Sequence, residues 1–438
     1  MVLNLIKMKK IIFLLILQLN FSAAYSANEL IFFLEAAYKN NPRLNAEREN
    51  LKAIKQNINI SRSEFLPSVS VSGSVDSKQN ENRTNQSGVA LSDTQRQTET
   101  KSIEVDQKIF HGFQGLNSLK KSQLEVKRAN FELLNVEQET ILKAASAYFD
   151  LIYKTKNKNF NIENMDLFER QVESDSSRLQ KGEITLTDLA QSESSLAGAK
   201  AKLINAETEL LTSEIEFERI IGENAPKKMQ SIYNIEINLP ESLNDAFKLS
   251  NKNNPKLMIA KLDHEISKKD LSIEKSKLSP SASINYSKSE QKDFSSTVDK
   301  SDDESLKATV TWPILSGGKN FSSVKKSQFK LKQSNLNLND ILNSVRTTTS
   351  NSWSVYKSSG SVLKATKSQV KAAEIANEGI TLEYDSGNKR TTLEMIQSRS
   401  LLLDARIANA KAERDFIVSK LKLLSAIGNL NLNSIKKP

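Results

Sequence analysis

The chain has 438 residues, with 62 Lys and Arg against 52 Asp and Glu, and no cysteine. Disulfides and a lipid-modified cysteine are therefore excluded, and stability has to come from packing. The formal net charge of +10 is spread along the chain rather than gathered in a patch, so no nucleic-acid partner is expected.

Lys7, Lys9 and Lys10 precede an apolar run from Ile11 to Leu19, and the small residues Ser22, Ala23, Ala24, Ser26 and Ala27 follow it. This layout predicts a secretory signal peptide over 1–26. The run is too short to span a membrane, and no later stretch approaches the roughly 20 apolar residues that a transmembrane helix needs.

After Asn40-Asn41-Pro42-Arg43-Leu44, the residues to Ser63 lack Gly and internal Pro and favour helix. The period then changes to two. Val69, Val71 and Val75 alternate with Ser68, Ser70, Ser72 and Ser74, and Ile103, Val105 and Ile109 alternate with Ser102, Glu104, Asp106 and Lys108. These patterns predict strands at about 65–76 and 101–110, each apolar on one side. The polar segment Ser77–Thr100 between them is far longer than the two to five residues of an ordinary hairpin. Beyond the turn His111-Gly112-Phe113-Gln114-Gly115, Leu116 to about Arg178 contains no Pro or Gly. A continuous helix there would be roughly 95 Å long at ~1.5 Å per residue. Past Gly182 a heptad seam runs through Leu189, Ser192, Leu196, Ala199, Leu203, Ala206, Leu210, Ser213, Phe217 and Ile220, closing a helical hairpin over about 115–221.

All of this is then repeated. Asn253-Asn254-Pro255-Lys256-Leu257 and Pro280-Ser281 stand 213 positions after Asn40-Asn41-Pro42-Arg43-Leu44 and Pro67-Ser68. Lys325-Lys326-Ser327-Gln328 and Gly387 follow Lys120-Lys121-Ser122-Gln123 and Gly182 by 205. Gln397-Ser398, Ala412-Glu413 and Ile427-Gly428 follow Gln191-Ser192, Ala206-Glu207 and Ile221-Gly222 by 206. The second copy carries strands at about 278–288 (Leu278, Ala282, Ile284, Tyr286) and 305–315 (Leu306, Ala308, Val310, Trp312, Ile314). After Ser316-Gly317-Gly318-Lys319, a second hairpin over about 319–427 has the seam Met395, Ser398, Leu402, Ala405, Asn409, Ala412, Phe416, Ser419, Leu423 and Ala426. The domain reading is repeat 1 over 27–222, a linker 223–240, repeat 2 over 241–428 and a tail 429–438. One unit is used twice, so function belongs to what the two build together.

Four strands of about ten residues, lipophilic on one side and polar on the other, fit a membrane β-barrel. A half-buried strand of a soluble sheet alternates in the same way, but the long polar loops and the signal peptide favour the barrel. Four strands cannot close one and an open edge cannot face hydrocarbon, so if these strands span a membrane, several chains must share one barrel. Enzyme chemistry is not found. His111 and His264 lack metal-ligating neighbours, His264-Glu265 lacks the second histidine of a zinc protease, and Gly317-Gly318-Lys319 lacks the upstream glycine of a phosphate loop. No catalytic residue, cofactor or metal site is expected.

The signal peptide, the two Asn-Pro helix starts, the four strands, the Gly-rich turns and the paired hairpins resemble the TolC family of outer membrane efflux proteins, over essentially the whole mature chain. The resemblance implies a mainly α fold with a membrane β-barrel portion: two tandem repeats of helix, strand, strand and long hairpin, trimerised into a twelve-stranded barrel and a long α-helical barrel. It implies an equatorial belt formed by 28–40, 223–240 and the C-terminal tail. It also implies a periplasmic gate at Thr187, Asp188, Tyr384, Lys389 and Arg390, a pore constriction at Glu394 and Gln397, and adaptor-docking tips at Gly182 and Gly387. Gln397 departs from the pair of aspartates of the best-known member and puts a double carboxylate ring in doubt. The implied protein is an outer-membrane exit duct reaching into the periplasm, within a tripartite efflux or type I secretion system. Its partners would be two further copies, a periplasmic adaptor (membrane fusion) protein, an inner-membrane transporter and outer-membrane lipid. The competing reading is a secreted structural coiled-coil or periplasmic adaptor protein.

Overall fold

The computed structural model describes residues 29–226, 237–295, 298–386 and 390–436. The signal peptide reading and the middle of the linker lie outside the described residues. In chain order the elements are a helix over 29–40 (α1), α2 (Pro42–Ser63), β1 (Ser68–Asn80), β2 (Arg83–Thr84), β3 (Ala90–Leu91), β4 (Thr94–His111), α3 (Gln114–Gln180) and α4 (Leu186–Ile221). The second copy supplies α5 (Leu243–Asn253), α6 (Pro255–Ser276), β5 (Ser281–Lys292), β6 (Lys300–Thr311), α7 (Lys319–Asp385) and α8 (Thr392–Ala426), before a short α9 (Leu432–Lys436).

The chain divides into two compact units that cut across the repeats. One holds the residues up to Arg48, Phe131–Met258 and those from Asp340 onward; the other holds Glu49–Asn130 and Ile259–Asn339. Each unit thus draws matching pieces from both copies.

In the second unit the four long strands form one antiparallel sheet of order β1-β4-β5-β6. Val71 lies opposite Ile103, Val105 opposite Tyr286, and Tyr286 opposite Leu306, which gathers the apolar residues on one face. That face is bare: Val71, Leu306 and Val310 are 77, 75 and 74% exposed. The opposite face carries Ser70, Glu104, Asp106, Asn285 and Lys307, and the Asn285 amide donates to Glu104 Oε1 at 2.6 Å and Asp106 Oδ1 at 2.8 Å.

β1 and β5 start later and run further than the alternation suggests, whereas β4 and β6 start earlier and β6 stops at Thr311. Pro67 and Pro280 have no N–H to give a ladder, so pairing begins just beyond them. At the far end the ladder continues through Gln79↔Gln95 and Lys292↔Lys300, because backbone bonds do not need an apolar face. Gly112, at φ +57°, makes the turn out of β4; a Cβ there would lie 2.4 Å from the Ser276 carbonyl oxygen. No side chain fits in that space.

In the first unit the Asn-Pro motif shows its purpose twice. Asn41 Oδ1 accepts from the Leu44 N–H at 3.1 Å and Asn254 Oδ1 from the Leu257 N–H at 3.2 Å, each capping a helix whose first residue is proline. The same amides reach the ends of the hairpins: Asn41 Nδ2 donates to the Ile220 carbonyl at 3.3 Å, and Asn254 Nδ2 to that of Ala426 at 2.8 Å. The main core lies here, with Phe33, Tyr148, Phe149, Phe217, Ile221, Leu421 and Leu424 buried together and the Phe33 and Phe217 rings meeting edge-on at 5.1 Å.

Both heptad seams face inward. In α4 the small positions Ser192, Ala199 and Ala206 are fully covered, and in α8 Ser398, Ala405 and Ala412 are. A small residue at every second seam position lets neighbouring helices approach closely. The copies then diverge. Helix α8 has a second buried face, through Leu403, Ala410, Ile417, Leu421 and Leu424, which α4 does not.

Candidate channel gate at the hairpin tips

The returning helices of the two hairpins have the same start. Thr185 caps α4, its hydroxyl accepting from the Asp188 N–H at 3.2 Å, while Asp188 Oδ2 accepts from the Thr185 N–H at 3.0 Å and from its hydroxyl at 2.7 Å. Thr391 and Glu394 repeat this at the start of α8, with the Thr391 N–H donating to Glu394 Oε2 at 2.9 Å. The reciprocal bonds satisfy helix-end donors that would otherwise be open. Gly182, at φ +74°, turns the first tip. Gly387 and Lys389 lie outside the described residues.

The two capping carboxylates respond accordingly. The Thr185 hydroxyl and then its N–H hold the Asp188 carboxyl below its ordinary value, with Arg178 nearby. Glu394 is lowered first by the Thr391 N–H and then by Arg390, whose guanidinium donates to Glu394 Oε1 at 3.1 Å and to Glu383 Oε2 at 2.6 Å. Thr187 is exposed on the first turn of α4. Glu394 and Gln397 line a groove between α7 and α8 with Ala372, Ala373, Ala376 and Leu401.

Tyr384 is 5% exposed and faces inward. Its hydroxyl donates to Asp175 Oδ1 at 2.9 Å, accepts from Gln171 Nε2 at 3.3 Å and lies 3.2 Å from Thr392 Oγ1. The Arg178 guanidinium stands over its ring, 4.8 Å from the centroid. Burial, reinforced by the Asp175 carboxylate, raises the phenol above its ordinary value, so the hydroxyl stays a donor. Tyr384 and Asp188 are thus not bonded to each other within the chain: one is tied to Asp175 and the other to Thr185.

Asp175 is the residue that sequence reasoning passed over. It is fully buried, and it also accepts from Gln171 Nε2 at 2.9 Å and from the Ser192 hydroxyl at 2.5 Å. Its signal was present as a seam of the wrong composition. Asn157, Asn161, Asn164, Phe168, Gln171 and Asp175 step by four and three along α3, and all are buried. A search restricted to apolar residues does not see a heptad written mostly in amides.

A sheet with one bare apolar and one polar face, in a chain with two long capped hairpins, fits a subunit of a membrane channel. The chain belongs to the outer membrane efflux protein family, whose model matches residues 33–223 and 247–429. It is 27% identical over 404 residues to the outer membrane efflux protein BepC of Brucella suis biovar 1 (strain 1330), covering 92% of this chain and 86% of that one. It is 23% identical over 442 residues to the outer membrane protein TolC of Escherichia coli (strain K12), covering 97% and 87%. Among solved structures, the Campylobacter jejuni CmeC outer membrane channel superposes with a TM-score of 0.81 at 14% identity, over 92% of this chain and 86% of that one. The protein is an outer-membrane efflux component.

Proposed function

We propose that three copies of this chain form a passive exit duct, their sheets closing a twelve-stranded barrel and their hairpins a helical barrel across the periplasm. The observation that carries this reading is the unequal burial of the two repeats. At the 206-residue offset, Ala410, Ile417 and Leu421 of α8 correspond to Ile204, Leu211 and Ile215 of α4. The α8 residues are buried, whereas the α4 residues are 63, 57 and 59% exposed. A ring of copies supplies α4 with the cover that α8 already has, as a closed cyclic assembly does for every subunit alike. The sheet makes the same demand, since β1 and β6 each pair on one side only among the described residues. The number three rests on the family resemblance.

In this duct the polar sheet face lines the lumen. Asp188, Thr187, Tyr384, Arg390 and Lys389 act at the periplasmic gate, and Glu394 with Gln397 at the constriction. A periplasmic adaptor and an inner-membrane transporter dock at the tips around Gly182 and Gly387. Cargo passes without a covalent step. The test is reconstitution of the full chain in planar bilayers beside heat-modified gel mobility. Wild type should assemble and conduct. Val71→Lys, on the lipid side, should cost ~2–4 kcal/mol per copy and lower the assembly yield, while Ser70→Lys, on the lumen side, should not. Equal yields for the two variants would remove the barrel.

A further inference from the structure

The buried hydrogen-bond cluster around Asp175 draws on all four helices of the two hairpins. Asp175 and Gln171 come from α3, Ser192 from α4, Tyr384 from α7 and Thr392 from α8. Within each hairpin the capping boxes fix only the local turn. The bond from the Tyr384 hydroxyl to Asp175 Oδ1, at 2.9 Å, instead ties one hairpin to the other.

The chemistry of this carboxylate is unusual for a core. Three neutral donors satisfy it, at 2.9 Å from Gln171, 2.9 Å from Tyr384 and 2.5 Å from Ser192, and no ion pair to it occurs among the described residues. A buried charge is costly without such partners, so losing one donor is felt by the rest. The Arg178 guanidinium closes the site from the ring side of Tyr384. The nearby Arg399 donates to the Leu167 carbonyl at 3.2 Å.

We propose that Asp175 is a positioning residue of the gate: it holds Tyr384, and through it the second hairpin tip, against the first, and opening breaks the Tyr384–Asp175 bond. Ser192 and Gln171 stay with Asp175 when it breaks, because both belong to the first hairpin. The carboxylate is therefore never stripped of all its donors, which keeps the open state accessible. This rests on the duct reading above.

The experiment is resting conductance of the full chain in planar bilayers, with trimer heat stability measured in parallel. Tyr384→Phe and Asp175→Ala should each raise resting conductance several-fold. The double variant should conduct no more than Tyr384→Phe alone, since that variant already removes both bonds between the hairpins at this point, Tyr384 to Asp175 and Gln171 to Tyr384. Ser192→Ala, which takes away one donor with little change in volume, should give a smaller rise, and it keeps the test alive if Asp175→Ala does not assemble. A purely structural role for Asp175 would lower heat stability and leave conductance at the wild-type level, which overturns the proposal. Multiplicative effects in the double variant overturn it too. A wild-type chain that forms no channel overturns the duct reading and this inference with it; a wild-type channel unaffected by Asp175→Ala or Ser192→Ala overturns this inference alone.

Discussion

Asn254 does two jobs with one side chain. Its Oδ1 caps α6 and its Nδ2 holds the last carbonyl of α8, so Asn254→Ala leaves one donor and one acceptor open in a buried position. The expected loss is about 1–3 kcal/mol, combining a missing cap with an unsatisfied group. Thermal melts should show Asn254→Asp losing less, because the cap survives; equal losses would assign the whole effect to the bridge. The tip carboxylates give a second test. Asp188 and Glu394 are both held below their ordinary values of 3.8 and 4.5. A depressed acid stabilises the folded state fully above its ordinary value, and that contribution disappears as pH falls through the folded value. The stability gap between wild type and Asp188→Asn/Glu394→Gln should therefore be present at about pH 7 and shrink progressively as pH falls below about 4. A gap of constant size across that range would mean that the caps do not depend on charge.

The helices respond to substitution through their seams. Ala199, Ala206, Ala405 and Ala412 are each no more than 5% exposed, so a Leu at any one of them overpacks a closed contact at a cost of about 1–3 kcal/mol. Leu at the exposed Lys200 or Lys411 should leave the melting midpoint nearly unchanged, and similar melts for the two sets would reject the register. That register was legible in the sequence because it recurs: positions that looked ambiguous once, such as Ser192 and Ser213, are supported by Ser398 and Ser419. Both Asn-Pro starts were legible for the same reason. The strand ends were not, since Thr94–Thr100 and Lys288–Lys292 pair through backbone atoms while their side chains carry no apolar rhythm. The proposed gate was legible only in part. Resemblance could point to Tyr384, but its partner Asp175 sits in a seam of amides that no hydrophobic pattern reveals.

For the whole molecule, the decisive faces are those on which the repeats disagree. Ile204, Leu211 and Ile215 are exposed on α4, where their counterparts on α8 are buried. Ile204→Asn/Leu211→Asn should consequently spare the fold of the single chain and weaken the assembly. The expected readout is loss of the heat-resistant oligomer band with helical circular dichroism kept. An oligomer as robust as wild type would show that this face is not shared between copies.

The pairing of β4 with β5 also sets an order of events in time. These neighbours, His111 beside Ser281 at one end of the ladder, are separated along the chain by the whole first hairpin and the start of the second repeat. Helical segments form from local contacts, whereas a ladder between such distant segments waits for a long loop to close. The nascent protein is thus expected to complete its first hairpin while β1 and β4 are still a lone pair of strands with a bare apolar face. Such a stage is prone to aggregation. An escort that shields strands and ignores helices would meet the need of this chain during that interval.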